Sequence, residues 1–258
     1  MSKEVRAICA ALAKGLRTIL GANLHGAYVY GAVVFPDRLP THDIDFHVIL
    51  NEPLTKAERS ALEELHESLS RCFPPLGGEL DGYYLLLRDT RRGKPPRSQM
   101  WQRATDDAWA LHCEHIRAGR CIVLHGPDPT AVYPQPSWPE VEKALRGEFR
   151  YVERHLRDYP DYCILNLCRL IYSYETRDVA VSKAAASVWA RDALPEWRRA
   201  IRAARRSYAG RSTPQEREFM LAEVKGLFES ARARILAARK SNRRGKPKTH
   251  ARRGTYRV

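Results

Sequence analysis

Two aspartates, Asp43 and Asp45, flank Ile44 at the start of a run rich in branched and aromatic residues, Ile44 to Leu50. In a strand, side chains two apart share a face, with Cα atoms roughly 6.5–7 Å apart. Two carboxylates so placed can jointly bind a hard divalent cation, which prefers oxygen ligands. Twelve positions before Asp43, Gly31 closes an earlier apolar run, Leu24 to Tyr30. A glycine there allows close backbone approach, and a phosphate can settle against backbone N–H groups. The chemistry that needs both parts is transfer at a phosphate. The cation neutralises charge and activates the attacking oxygen, while the turn holds the phosphates in line. An Asp-x-Asp pair alone is unspecific; its setting between a glycine turn and an apolar strand makes it informative.

The elements that must carry these residues follow from periodicity. Val5, Ile8, Leu12, Leu16 and Ile19 recur at helical spacing, which predicts a helix over 2–20. Strands are predicted over 24–30, 44–50 and 80–87. Between the last two, Thr55 and Glu58 form a capping box, and Leu62, Leu65 and Leu69 give the helix it opens an apolar stripe. Residues 88–98 read as a basic loop, 106–117 as a helix and 121–124 as a short strand. Pro127, Pro129, Pro134, Pro136 and Pro139 mark a linker, since such density can continue neither a helix nor a central strand. From 140 to 238 the chain is rich in Ala, Leu, Arg and Glu with helical periodicity. Breaks near 158–160, 177–178, 194–195 and 210–214 divide it into four or five helices. The expected architecture is an α+β domain over 1–130, an all-α helical bundle over 137–238 and a basic disordered tail over 239–258.

Composition sets the outer bounds. No apolar run is long enough to span a membrane, and the N-terminus lacks a signal-peptide core, so a soluble cytoplasmic protein is expected. Six scattered cysteines predict buried thiols, not a disulfide framework. His112, Cys113, His115, Cys121 and His125 crowd together without the spacing of a zinc finger. The net charge is +14, and eight Lys or Arg residues with no acid lie in 240–258. Such a balance favours polyanions, so nucleic acid is a candidate partner for the tail; a tail that only aids solubility is the plainer alternative.

Gly31 followed by Asp43-Ile-Asp45 resembles the signature of the polymerase-β-type nucleotidyltransferase superfamily. Leu165-Asn-Leu-Cys-Arg169, Tyr172, Thr176, Ser182-Lys183-Ala-Ala185, Trp189-Ala190 and Leu194-Pro195 resemble the C-terminal domain of streptomycin- and spectinomycin-modifying aminoglycoside adenylyltransferases. The likeness spans most of 20–235. Two residues depart from the pattern: Ala32 stands where a phosphate-binding serine is usual, and His42 replaces the common serine before the aspartates. Between Thr176 and Lys183 the chain is one residue longer than the family pattern.

The resemblance implies a nucleotidyltransferase domain followed by a helical domain, with ATP as co-substrate and Mg²⁺ on Asp43 and Asp45. It implies a general base on the strand after the capped helix, where Asp81 aligns best and Glu79 is the alternative. Gly31 and Ala32 would meet the phosphates from one domain, and Arg169, Lys183 and Tyr208 would meet the nucleotide from the other. Trp101 and Trp109 are the acceptor-binding candidates it suggests. The implied reaction moves AMP from ATP to a hydroxyl of a small acceptor such as an aminoglycoside, which would confer antibiotic resistance. Two alternatives stay open: transfer to a protein or RNA, and a nucleotide- or nucleic-acid-binding module without catalysis.

Overall fold

The computed structural model describes residues 1–36, 39–40, 42–92, 94–101 and 108–244, excluding the side chains of 242–244. Asp106, Asp107 and the tail beyond 244 lie outside the described residues. The chain divides in the main between Ala144 and Leu145 into two compact units.

The first unit opens with helix α1 (Lys3–Leu20), whose N–H of Val5 is capped by the Ser2 hydroxyl at 3.1 Å. Strands β1 (Leu24–Tyr30) and β2 (Ile44–Leu50), helix α2 (Lys56–Cys72), strand β3 (Leu80–Leu86), the short helix α3 (Leu87–Thr90), helix α4 (Trp109–Arg117) and strand β4 (Ile122–His125) follow. The strands form one sheet in the order β3-β2-β1-β4, parallel between β2 and β3 and antiparallel elsewhere. The capping box at the start of α2 is complete: Glu58 N–H donates to Thr55 Oγ1 at 3.2 Å and Thr55 N–H to Glu58 Oε2 at 2.8 Å.

Alternation along the strands builds two layers. Val29, Ile44, Phe46, Val48, Tyr84 and Leu86 face a core that includes Val5, Ile8, Leu12 and Leu16 of α1 and Leu62 and Leu69 of α2. Burying each such large apolar side chain stabilises the fold by about 1.5–3 kcal/mol. The other face carries Tyr28, Tyr30, Ile49, Tyr83 and Leu85, packed with Trp109, Cys113 and Ile116 of α4 and with Val132 and Tyr133. By the same alternation Asp45 and Asp81 lie on this second face. The proline-rich stretch is therefore more than a linker. Val132 and Tyr133 are core residues, and Arg117 Nη1 donates to the carbonyl of Tyr133 at 2.6 Å.

The second unit contains helices and turns and no strand among the described residues. The unit boundary falls within α5 (Trp138–His155); α6 (Pro160–Thr176), α7 (Lys183–Ala193), α8 (Arg198–Tyr208) and α9 (Pro214–Arg244) complete it. Helix α6 is buried nearly all round, with Cys163, Ile164, Leu165, Leu167, Cys168, Leu170, Ile171 and Tyr174 all in the core. A helix of that character belongs at the centre of a bundle, and α7, α8 and α9 pack on it. No helix among the described residues is long and apolar enough to cross a membrane.

Candidate active site

Strand β2 lies between β1 and β3, so Asp45 has a paired residue on each side. Tyr30 stands across the antiparallel pairing and Asp81 across the parallel one. Neighbouring strands are about 4.8 Å apart and paired residues share a face, so Asp45 and Asp81 stand side by side. Asp45 is half-buried; Asp43, just before the strand, and Asp81 are exposed. Glu79 is also exposed, and its carbonyl accepts the Ile44 N–H at 2.9 Å, where the ladder begins. Of the two candidate bases, Asp81 is the one in register with Asp45.

Gly31 follows β1 with φ of +76° and opens a 3-10 turn, Gly31–Val34. A Cβ built on it would lie 1.7 Å from Asp45 Oδ2. The position admits only glycine for two independent reasons: the left-handed backbone and the carboxylate seated against it. Ala32, next in the turn, is exposed and has no hydroxyl to offer a phosphate. The first N–H groups of such a turn have no partner within it, which leaves backbone donors for that task.

Among the described residues, no three His, Cys, Asp or Glu side chains are close enough to hold a metal ion by themselves. Mg²⁺ keeps several waters and binds through one or two carboxylates plus substrate phosphates. Asp43 and Asp45 supply oxygen donors only, beside a glycine turn that a side chain would fill, and so fit that ion.

In the helical unit three of the residues read from the sequence belong to one connected cluster. Lys183 Nζ donates to Tyr208 Oη at 3.2 Å and lies 4.3 Å from the centre of the Tyr162 ring. Arg169 pairs with Glu148 at 3.4 Å, and Asn166 Nδ2 bridges from Glu148 Oε2 (3.2 Å) to Tyr162 Oη (3.4 Å). Burial, then the charge on Glu148, pushes the Tyr162 hydroxyl well above its ordinary pKa. Lys183 is the first residue of α7, whose cap is Ser182, accepting the Ala185 N–H at 2.8 Å. A lysine is electrostatically unfavourable at the positive end of a helix dipole. Lysine and helix end together attract an anion more strongly than either does alone.

Residues 139–234 match the family model described as aminoglycoside adenylyltransferase, C-terminal domain. The helical part of the chain is thus similar to that domain. A curated spectinomycin 9-adenylyltransferase of Enterococcus faecalis is 23% identical over 218 residues, which cover 76% of this chain and 84% of that protein. The crystal structure of a spectinomycin adenyltransferase from the same organism, with ATP and spectinomycin, superposes with a TM-score of 0.71 at 19% identity. It covers 88% of this chain and 99% of that one. This likeness establishes the shared fold.

The two tryptophans do not join the carboxylate surface. Trp109 is only 2% exposed and stacks on His47, so its indole serves the core. Trp101 is 42% exposed, but it meets His66 and Tyr84, on the face opposite Asp45. Sequence reasoning passed over a buried polar chain beneath the carboxylates. Tyr30 Oη lies 3.1 Å from His47 Nε2 and 3.2 Å from His112 Nδ1, and His47 Nδ1 lies 3.2 Å from Tyr133 Oη. Burial, with His112 beside it, holds the His47 pKa well below its ordinary value, so the ring is neutral. Burial pushes the Tyr30 hydroxyl far up, and the charges of Asp45 and Asp81 add to the effect. The signal was present: His47 stands at an inward position of β2 where an apolar residue is expected. Cys113 and Cys121, from the His/Cys-rich stretch, are buried on this same face.

Proposed function

We propose that the chain transfers AMP from ATP to a hydroxyl of an aminoglycoside- or spectinomycin-like acceptor, with pyrophosphate as the other product. The observation that carries the reading is the register of Asp45 with Asp81 beside the Gly31 turn. It sets two carboxylates side by side on adjacent strands, which supports a division of roles between holding a cation and accepting a proton. Asp43 and Asp45 would hold Mg²⁺, which when bound offsets the negative charge of the phosphates. Asp81, exposed, takes the proton of the acceptor hydroxyl as that oxygen attacks the α-phosphorus. Glu79 is the alternative base. The Gly31–Ala32 backbone receives phosphate oxygens. Arg169 and Lys183 add side-chain cations for the triphosphate, and Tyr208 keeps Lys183 in place by its hydrogen bond.

An acceptor panel tests this directly. Purified protein with ATP and Mg²⁺ is expected to release pyrophosphate only when one or a few aminoglycosides or spectinomycin are present. If none of them raises release above the acceptor-free rate, the assignment fails.

Lys183→Ala is expected to lower kcat/KM for ATP about ten- to hundred-fold. A charge-assisted contact is worth about 1.5–3 kcal/mol, and each 1.4 kcal/mol is a factor of ten. Tyr208→Phe keeps the ring beneath the ammonium and removes only the hydroxyl, so its loss should be several-fold smaller. ATP kinetics unchanged in Lys183→Ala would remove Lys183 from the phosphate site.

A further inference from the structure

Helix α8 carries five arginines, and they divide into two sets. Arg198 and Arg205 are occupied within the fold. Arg198 Nε donates to the Arg191 carbonyl at 2.9 Å, and Arg205 Nη1 donates to the Ala184 carbonyl at 2.9 Å and to Ser187 Oγ at 2.5 Å. Arg199, Arg202 and Arg206 are exposed and line a groove of about 320 Å³ with Ala203 and with Gln215, Glu216 and Phe219 of α9. The Arg199 guanidinium lies 4.2 Å from the centre of the Phe219 ring, and Arg206 pairs with Glu216 at 3.0 Å. Arg202 makes no hydrogen bond or ion pair among the described residues. Three cations thus face one acid, and that acid also accepts the Thr213 N–H at 3.0 Å as part of the α9 cap. Like charges three and four residues apart on a helix repel. The groove therefore holds an uncompensated positive charge.

We infer that this groove binds the backbone of a single-stranded nucleic acid. Arg199 to Arg206 spans seven residues, or about 10 Å of helix, which is too long for one phosphate to satisfy and suits a chain of them. Sites for single strands combine a cationic groove with an aromatic or guanidinium surface on which bases stack; Phe219 under Arg199 supplies one. The groove is separate from the Lys183 cluster. Tyr208 lies two residues beyond Arg206, about 200° round the helix axis, so the two sites use different faces of α8. A nucleic-acid partner would also account for basic surplus outside the tail that nucleotide binding leaves unexplained.

The test is fluorescence anisotropy with a labelled oligouridylate 20-mer and the full-length protein, at 50–200 mM salt. Arg202→Glu should weaken binding at least ten-fold and reduce the slope of log K against log salt by about 0.7 for each phosphate no longer neutralised. Glu216→Gln, which preserves the cap, should tighten binding several-fold. Lys225→Glu is the control: it makes the same charge change on an exposed part of α9 outside the groove. Retained affinity in Lys225→Glu with weakened binding in Arg202→Glu supports the groove. Equal weakening in the two would show diffuse attraction to a basic protein and overturn it. Displacement of the oligonucleotide by inorganic tripolyphosphate at matched phosphate concentration would overturn the nucleic-acid assignment, since the site would then take any short polyanion. Since Arg202 is exposed, adenylyl transfer and melting temperature should be unchanged in Arg202→Glu.

Discussion

Asp45→Asn is expected to lower acceptor-dependent AMP transfer by about a thousand-fold or more while leaving the fold intact. Asparagine keeps the shape of aspartate, so the contact with Gly31 survives and only the charge is removed. That charge matters because Asp43 and Asp45 are the proposed oxygen donors for the cation. Electrostatic stabilisation of charge at the reacting phosphate is worth several kcal/mol, and about 4 kcal/mol corresponds to a thousand-fold in rate. Stability should move the other way, if at all. Asp45 and Asp81 are paired across neighbouring strands, where like charges destabilise a sheet. Neutralising one relieves that repulsion, so the melting temperature should stay level or rise. Initial rates of pyrophosphate release, with a thermal melt of the same sample, measure both. A rate within ten-fold of the parent would remove Asp45 from the reaction centre. A lost rate with a lowered melting temperature would instead point to a structural role.

Most of the fold could be read from local pattern, because the signals are local. Strands over 24–30 and 44–50 show branched and aromatic runs that end at Gly31 and at the turn before Thr55, and β1 and β2 occupy those spans. The breaks in the second half fall where α6, α7, α8 and α9 end or begin. Partner choice was not legible. Nothing in the run Leu80–Leu86 says that it pairs parallel to β2, yet that pairing puts Asp81 beside Asp45. The basic loop expected from residue 88 has its first turn taken by α3, Leu87–Thr90, directly continuous with β3. Helix α9 runs to Arg244, beyond the expected end near 238. Basic residues such as Arg239 and Lys240 favour the negative end of a helix dipole, so charge that reads as a disordered tail also prolongs the helix. The candidate site was legible where a residue type is rare in its setting, as with Gly31, Asp45 and Lys183. It was opaque where common residues act through distant partners. Tyr162, Asn166 and Glu148 join Lys183 to Arg169, yet an ordinary helix would carry the same three residues. Trp101 and Trp109 were separated by the sheet between them, which no sequence spacing records.

Gly31→Ala tests whether the glycine turn and the carboxylate act as one device. The new Cβ would fall 1.7 Å from Asp45 Oδ2 and 2.7 Å from Asp45 Cγ, far inside any real contact. Backbone at φ of +76° adds strain of about 1–2 kcal/mol for a residue with a Cβ. The side chain of Asp45 must rotate away or the turn must move; either displaces an oxygen donor from its place beside the phosphate turn. A misplacement of about 1 Å at a reaction centre can cost a hundred-fold, so we expect a loss of that order or larger, together with a lowered melting temperature. The double variant with Asp45→Asn separates steric displacement from independent damage. If alanine acts by pushing Asp45 aside, an asparagine there has little left to lose, and the double variant should be about as slow as Asp45→Asn alone. Residues that act as a unit are non-additive in this way. Were the two losses instead to multiply, Gly31 would be contributing something other than room for Asp45. The phosphate-binding backbone of the Gly31–Val34 turn would then be the element that the methyl group disturbs.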